Sequence, residues 1–244
     1  MDHLTSQLFL LVRMSMSIAD SVFFDRENNK VIVSLPKRGK EELFLTSNRD
    51  IAMKVYRSMC SKAAKSQECK DQINVAFDKL FKNGHAMFLK YMQADRLDKF
   101  LQKPVQHYLP WRLVWKSDSV TTPLRPVFDA STNTRKSQDG SGGGRSLNDL
   151  LCKGKVDNLN LLRMMIRFAI GCFAVTGDLQ QFYCCCKLIS EDMNLTRFLY
   201  NPDLDQNSEP LECVFLALIF GLKSASAQTE YMKKKLADEI REDP

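Results

Sequence analysis

Residues 173–188 read FAVTGDLQQFYCCCKL, and how this stretch folds decides how the chain around it is read. Apolar residues over Cys172 to Val175, led by Gly171, predict a buried strand. The run reaches a lone carboxylate, Asp178, then the aromatic pair Phe182 and Tyr183, and turns apolar again. A carboxylate where such a strand ends is well placed to hold a hard divalent cation at a sheet rim. Alone, the stretch is more simply read as an Asp that closes a strand and opens a turn, which is common. If one helical turn follows Asp178, Tyr183 lies near the same pocket. An aromatic beside a nucleotide sugar would clash with a 2′-hydroxyl, although a core tyrosine is the plainer reading.

Around this stretch the chain has the composition of a globular protein, 44% hydrophobic and 26% charged over 244 residues. That length suffices for one large domain or two small ones. Its net charge of +6, from 35 basic and 29 acidic residues, leans mildly toward polyanions. Eight cysteines include no CxxC pair, and His3, His85 and His107 are scattered, so no zinc spacing appears. Without a credible secretory signal, all eight read as reduced thiols in an intracellular setting. The apolar stretch near the N-terminus is too short for a signal peptide, and no run approaches a membrane span.

The first hundred residues predict a helical lead-in. A helix is expected over 4–19, a strand over Lys30 to Leu35, and a capping box at Ser47–Asp50 ahead of Ile51, Val55 and Met59. A further helix carries Ile73, Phe77 and Leu80 and stops at Gly84, and Ala86 to Leu89 reads as a strand. From about Gln106 the character changes, which divides the chain into 1–104 and 105–244. Tyr108 to Lys116 and Thr122 to Ser131 read as strands whose prolines suit edges. A glycine-rich loop (135–144), a short helix from Ser146 and a longer one capped by Asp157 follow. Thr196 to Tyr200 pairs with Glu212 to Ile219, and Ser224 opens a final helix. With no further apolar element after that helix, the end at Pro244 reads as a truncation.

Two cations, Lys116 and Arg125, flank a Ser/Thr-rich turn, where they could clamp a triphosphate or simply be solvated. In Phe220 to Gln228, FGLKSASAQ, Gly221 permits close backbone approach and Lys223 offers a cation. The small residues Ala225, Ser226 and Ala227 let another chain lie close; ordinary strand-to-helix punctuation is the alternative.

Taken in order, YLPWRLVWKSDSVTTPLRPVFDAS, GRSLNDLLCKGK, VTGDLQQFY, RFLYNPDLD and FGLKSASAQTE resemble a reverse transcriptase of BEL/Pao-type long-terminal-repeat retrotransposons. The resemblance runs from Tyr108 to Glu239. It implies an α/β (α+β) fold, the fingers and partial palm of a right-hand polymerase behind a helical lead-in. It also implies an RNA-directed DNA polymerase that joins a primer 3′-hydroxyl to a deoxynucleoside triphosphate on an RNA or DNA template. By the same resemblance Asp178 is the first catalytic carboxylate, and it ligates two Mg2+ ions beside the Leu179 carbonyl. Tyr183 gates the sugar, Arg125 and Lys116 hold the triphosphate, and Phe220, Gly221 and Lys223 lie against the nascent base pair. Asp129 and Asn148 support the fingers. The rest of a polyprotein is the implied partner, the setting cytoplasmic or within virus-like particles, with no membrane.

The family's paired-Asp turn is missing; Asp238, Glu239, Glu242 and Asp243 lie on or after a helix instead. Ser226 stands where many relatives have Pro or Gly. The expectation is therefore that this chain alone lacks polymerase activity. The competing readings are a non-catalytic nucleic-acid-binding remnant and a viral RNA polymerase, the latter disfavoured by Tyr183.

Overall fold

The structure is a computed structural model that describes residues 16–39, 45–102, 105–115, 124–136, 143–156, 161–170, 173, 175 and 177–242. The architecture is mixed α/β. Its strands are β1 (Val22–Asp25), β2 (Lys30–Val33), β3 (Ala86–Phe88), β4 (Trp111–Trp115), β5 (Leu124–Phe128), β6 (Cys186–Leu188), β7 (Arg197–Tyr200) and β8 (Leu211–Phe215). The α-helices are α1 (Arg49–Ala63), α2 (Gln67–Lys82), α3 (Ala94–Leu101), α4 (Leu147–Leu150), α5 (Leu161–Ile170) and α6 (Ala225–Glu242).

Three small sheets result. The first, β1-β2-β6, joins an antiparallel hairpin to a parallel partner, with Val31 opposite Cys186. The second, β3-β8-β7, is antiparallel throughout, and the third is the β4–β5 hairpin. Residues from both sides of position 104 thus share two of these sheets, and α1 and α2 pack on β4, β5 and β7.

Phe77 shows why the sheets hold together. The periodic apolar face of α2 buries it fully, in an aromatic cluster with four rings from three strands. Its ring stacks on Tyr200 at 4.0 Å and meets Trp111 edge-on at 4.8 Å, with Phe128 and Phe198 about it. Trp111 is buried without loss because its indole N–H donates to the Leu199 carbonyl at 2.8 Å. Phe128 in turn meets Phe215 edge-on at 4.7 Å, so the end of β5 is held against the second sheet.

Three buried polar side chains fasten this core. Arg197, 1% exposed, is bonded by Asn194 and Glu212 and lies over the Phe100 ring, so its charge is paired inside. Asn48 imitates a backbone strand: its amide oxygen accepts from the Tyr108 N–H, and its amide N–H donates to the Tyr108 carbonyl, each at 2.7 Å. His107 is held between Asn48 and the Leu195 carbonyl, and burial pushes its imidazole down to about 4.

Several expectations are corrected. Asn48, not Ser47, is the residue before α1, and it makes no side-chain cap because its side chain serves Tyr108. Burial on α1 runs along Ala52, Met53, Tyr56, Met59, Cys60 and Ala63, so Met59 alone of the expected face is buried. The hairpin strand β1 and helix α3 had no expectation.

The largest correction concerns the opening stretch. Phe173 and Val175 are 93% and 90% exposed and lie in no strand, whereas Gly171, Cys172, Ala174 and Thr176 of the expected strand and its exit lie outside the described residues. No described sheet supplies a neighbour for Phe173 or Val175, and backbone pairing, not apolar content, makes a strand. Of the three cysteines expected in a strand-like run, only Cys186 is in one, buried, its thiol pushed up to about 12 by burial; Cys185 is exposed. No helix among the described residues is long and apolar enough to cross a membrane.

Candidate nucleotide and template site

Ser146 begins the site. It caps α4 with a full capping box, its side chain accepting from the Asp149 N–H while Asp149 returns to the Ser146 N–H. Those hydrogen bonds hold the Asp149 carboxyl below its usual range, with the Lys223 charge adding to the effect. Between the two ends of the cap lies Asn148.

Asn148 joins three segments. Its backbone N–H donates to the Ala130 carbonyl at 3.0 Å. Its side-chain amide donates to Ser131 Oγ and to the Gly221 carbonyl, each at 2.8 Å, and its amide oxygen accepts from the Lys223 N–H at 2.8 Å. The end of the β4–β5 hairpin and the turn before α6 are thereby bonded to one another. Asp129 stabilises the same corner, accepting from the Ser131 N–H and the Thr132 hydroxyl.

Gly221 explains why a glycine stands there. Its φ is +97°, and a Cβ would sit 2.5 Å from the Phe128 carbonyl oxygen. Any side chain would push the turn off the hairpin. On that hairpin Arg125 pairs with Val114 and lies on the outer face with Arg112 and Val127, all exposed. Arg125 is three residues from Phe128, roughly 10 Å along the strand.

Tyr183 reaches the same turn from the other side. It lies on a 3-10 helix (Phe182–Cys185) whose preceding residue, Gln181, is left-handed at φ +54°. The Gln181 amide oxygen accepts from His85 Nε2 at 2.8 Å and from the Asn83 amide at 3.3 Å. The Tyr183 ring lies 4.2 Å from the ring of Phe220, tilted by 53°, and its hydroxyl is 3.0 Å from Ser226 Oγ.

Of the residues marked in the sequence, Phe220, Gly221, Lys223, Tyr183 and Asn148 are therefore brought together, with Arg125 on the adjoining hairpin. Lys116 lies outside the described residues. Asp178 and Leu179 are exposed, and Asp178 makes no hydrogen bond or ion pair with any described residue. The small residues of α6 divide: Ala225 and Ala227 are buried and Ser226 is exposed. The close neighbours at Ala227 are this chain's own Gly154 and Ile18, because a Cβ on Gly154 would lie 2.5 Å from Ala227 and 2.6 Å from Ile18. The contact of Gln181 with His85, 96 positions apart, had no local signal in the sequence.

Magnesium is tested by the donor set. Among the described residues no group of three or more His, Cys, Asp or Glu is gathered to hold a metal ion. Glu239 pairs with Arg26 and Asp238 with Arg241 on α6, away from any shared site with Asp178. One carboxylate and one carbonyl fall short of the oxygens that two six-coordinate dications require.

Compared with known protein families the chain matches none, and no curated protein matches it.

Proposed function

We propose that this chain is the fingers and part of the palm of a retrotransposon reverse transcriptase, in which the Asn148–Gly221 clasp and Tyr183 frame the incoming nucleotide. The observation that supports this reading is the convergence of segments distant in sequence. Ser131 at the hairpin end, Asn148 and the Gly221 turn are bonded together, and Tyr183 packs on Phe220 of that turn.

Each residue then has a task its chemistry suits. Arg125 offers a planar cation to the triphosphate. Tyr183 presents a ring edge that a 2′-hydroxyl would meet. Phe220 offers an exposed aromatic face for a base, and the glycine at 221 lets the backbone run close beside it. The +6 charge supports attachment to a phosphate backbone. Because the donor set does not fit two magnesium ions, this chain by itself is expected to bind and not to extend. Primer extension that Asp178→Asn abolishes would contradict that expectation.

The short donor set also favours a second reading, a remnant that binds nucleic acid without selecting nucleotides. The two are separated by the anisotropy of a labelled primer–template in the presence of each deoxynucleoside triphosphate. The polymerase reading expects the complementary triphosphate alone to tighten the complex, and Arg125→Ala to remove at least about tenfold of that effect. Binding that no triphosphate alters supports the remnant. An absence of primer–template binding contradicts both.

A further inference from the structure

Tyr183 is a flat side chain at the edge of a turn, and a ring that is to discriminate between sugars must be held in one orientation. Three contacts do this. The left-handed Gln181, tied to His85 and Asn83, sets where the 3-10 helix starts. Phe220 packs against the ring at 4.2 Å, which restrains its tilt. Neither contact fixes the far end of the side chain. That end is met by Ser226 on the first turn of α6, whose hydroxyl lies 3.0 Å from the Tyr183 hydroxyl.

The position of Ser226 suits this task alone. Ala225 and Ala227 beside it are 2% exposed and serve the core, whereas Ser226 faces the site. α6 is anchored beneath by Gln228, whose amide donates to Ser21 Oγ and the Ser34 carbonyl, so its first turn is a firm base. An alanine at 226 would leave that base intact and remove only the hydrogen-bonding partner of Tyr183.

We propose that Ser226 is a specificity-determining residue, which holds the Tyr183 hydroxyl and so keeps the ring where it excludes a 2′-hydroxyl from the nucleotide sugar. The proposal rests on the polymerase reading above. Ser226 acts through Tyr183 and touches no reacting atom. Releasing the hydroxyl lets the ring swing about its χ1 and χ2 bonds, widening the space beside the sugar. One neutral hydrogen bond at a solvent-exposed site corresponds to roughly fivefold in discrimination.

The test uses the full 244-residue chain with primer–template, and dATP or ATP carrying a dye on the γ-phosphate, opposite a template thymine. Wild type is expected to bind the deoxynucleotide more tightly. Ser226→Ala narrows that ratio about fivefold, and Ser226→Thr, which keeps the hydroxyl, restores it. A second readout is the 19F spectrum of chain labelled with 3-fluorotyrosine, the Tyr183 line assigned by Tyr183→Phe. Ser226→Ala moves that line and leaves the other five tyrosines unmoved. If wild type discriminates and Ser226→Ala leaves both ratio and line unchanged, the proposal fails and the polymerase reading stands. If wild type binds both sugars equally, or neither, the polymerase reading itself fails and the role of Ser226 falls with it.

Discussion

Phe77 and Phe168 both sit on helical faces that the sequence marks as apolar, yet one is fully buried and the other is 51% exposed. Phe77 on α2 is enclosed by Trp111, Phe128, Phe198 and Tyr200, all supplied from strands far along the chain. Phe168 on α5 shares its exposure with Leu162, Met164, Met165, Ile166 and Ile170, so the broad apolar face of that helix, opposite Arg163 and Arg167, has no cover among the described residues. A period of apolar residues specifies a face; it does not supply the cover. The same contrast divides the candidate site. Arg125, Asn148, Gly221 and Tyr183 stand on the covered body, and Asp178 follows the uncovered helix.

The sharpest way to break the contrast is to truncate both rings. Phe77→Ala should lower unfolding free energy by about 3–5 kcal/mol, and Phe168→Ala by less than about 0.5 kcal/mol, as read by urea denaturation. Equal losses would mean that α5 is packed after all. The clasp comes next. Asn148→Ala leaves the Gly221 carbonyl and the Lys223 N–H without their partner, and it should destabilise by about 1–3 kcal/mol. Gly221→Ala should do comparable harm, since its Cβ would press on the Phe128 carbonyl. A stability unchanged by either substitution would show that the hairpin and the turn are not fastened to one another.

Acid should also tell the two regions apart. The His107 imidazole titrates near 4 in the folded chain and near 6.5 when unfolded, so below about 6.5 the unfolded state takes up the proton first. Stability is therefore lost as pH falls from about 6.5 toward 4, with a slope approaching 1.4 kcal/mol per pH unit from this group. His107→Asn should flatten that part of the profile. A profile that keeps its slope would place the acid sensitivity elsewhere. The smallest effect on stability belongs to α5. Met165→Lys with Phe168→Glu should leave the denaturation midpoint in place while lowering the fluorescence of a hydrophobic dye. A fall in the midpoint would contradict the exposure.

What could be read from the sequence was what local physics decides. The short helix opening at Ser146, the stop at Gly84 and the buried face of Phe77 each follow from neighbours a few residues apart, and the pairing of β7 with β8 from two strands joined by one polar loop. The rest depends on partners far away in the chain. Asn48 looks like a helix cap and is spent on Tyr108, 60 positions on. The parallel pairing of β2 with β6, Val31 opposite Cys186, closes over an interval more than twice as long and leaves no periodic trace. The segment before Asp178 has strand-like composition, but its described residues Phe173 and Val175 pair with no described strand, and composition cannot reveal that. Within the site, Gly221 was legible because a positive φ and a close approach both call for glycine. The Gln181–His85 contact was not, because nothing local requires it.

The most direct test of the central claim is where a nucleotide lands. A photoreactive thymidine triphosphate, held opposite a template adenine on a primer–template, is cross-linked to the whole chain and the attached peptide is identified by mass spectrometry. The account predicts attachment at Tyr183 or within Phe220–Ser226, dependent on the template base and weakened by Arg125→Ala. Attachment elsewhere, or at the same level with a mismatched template, would contradict it.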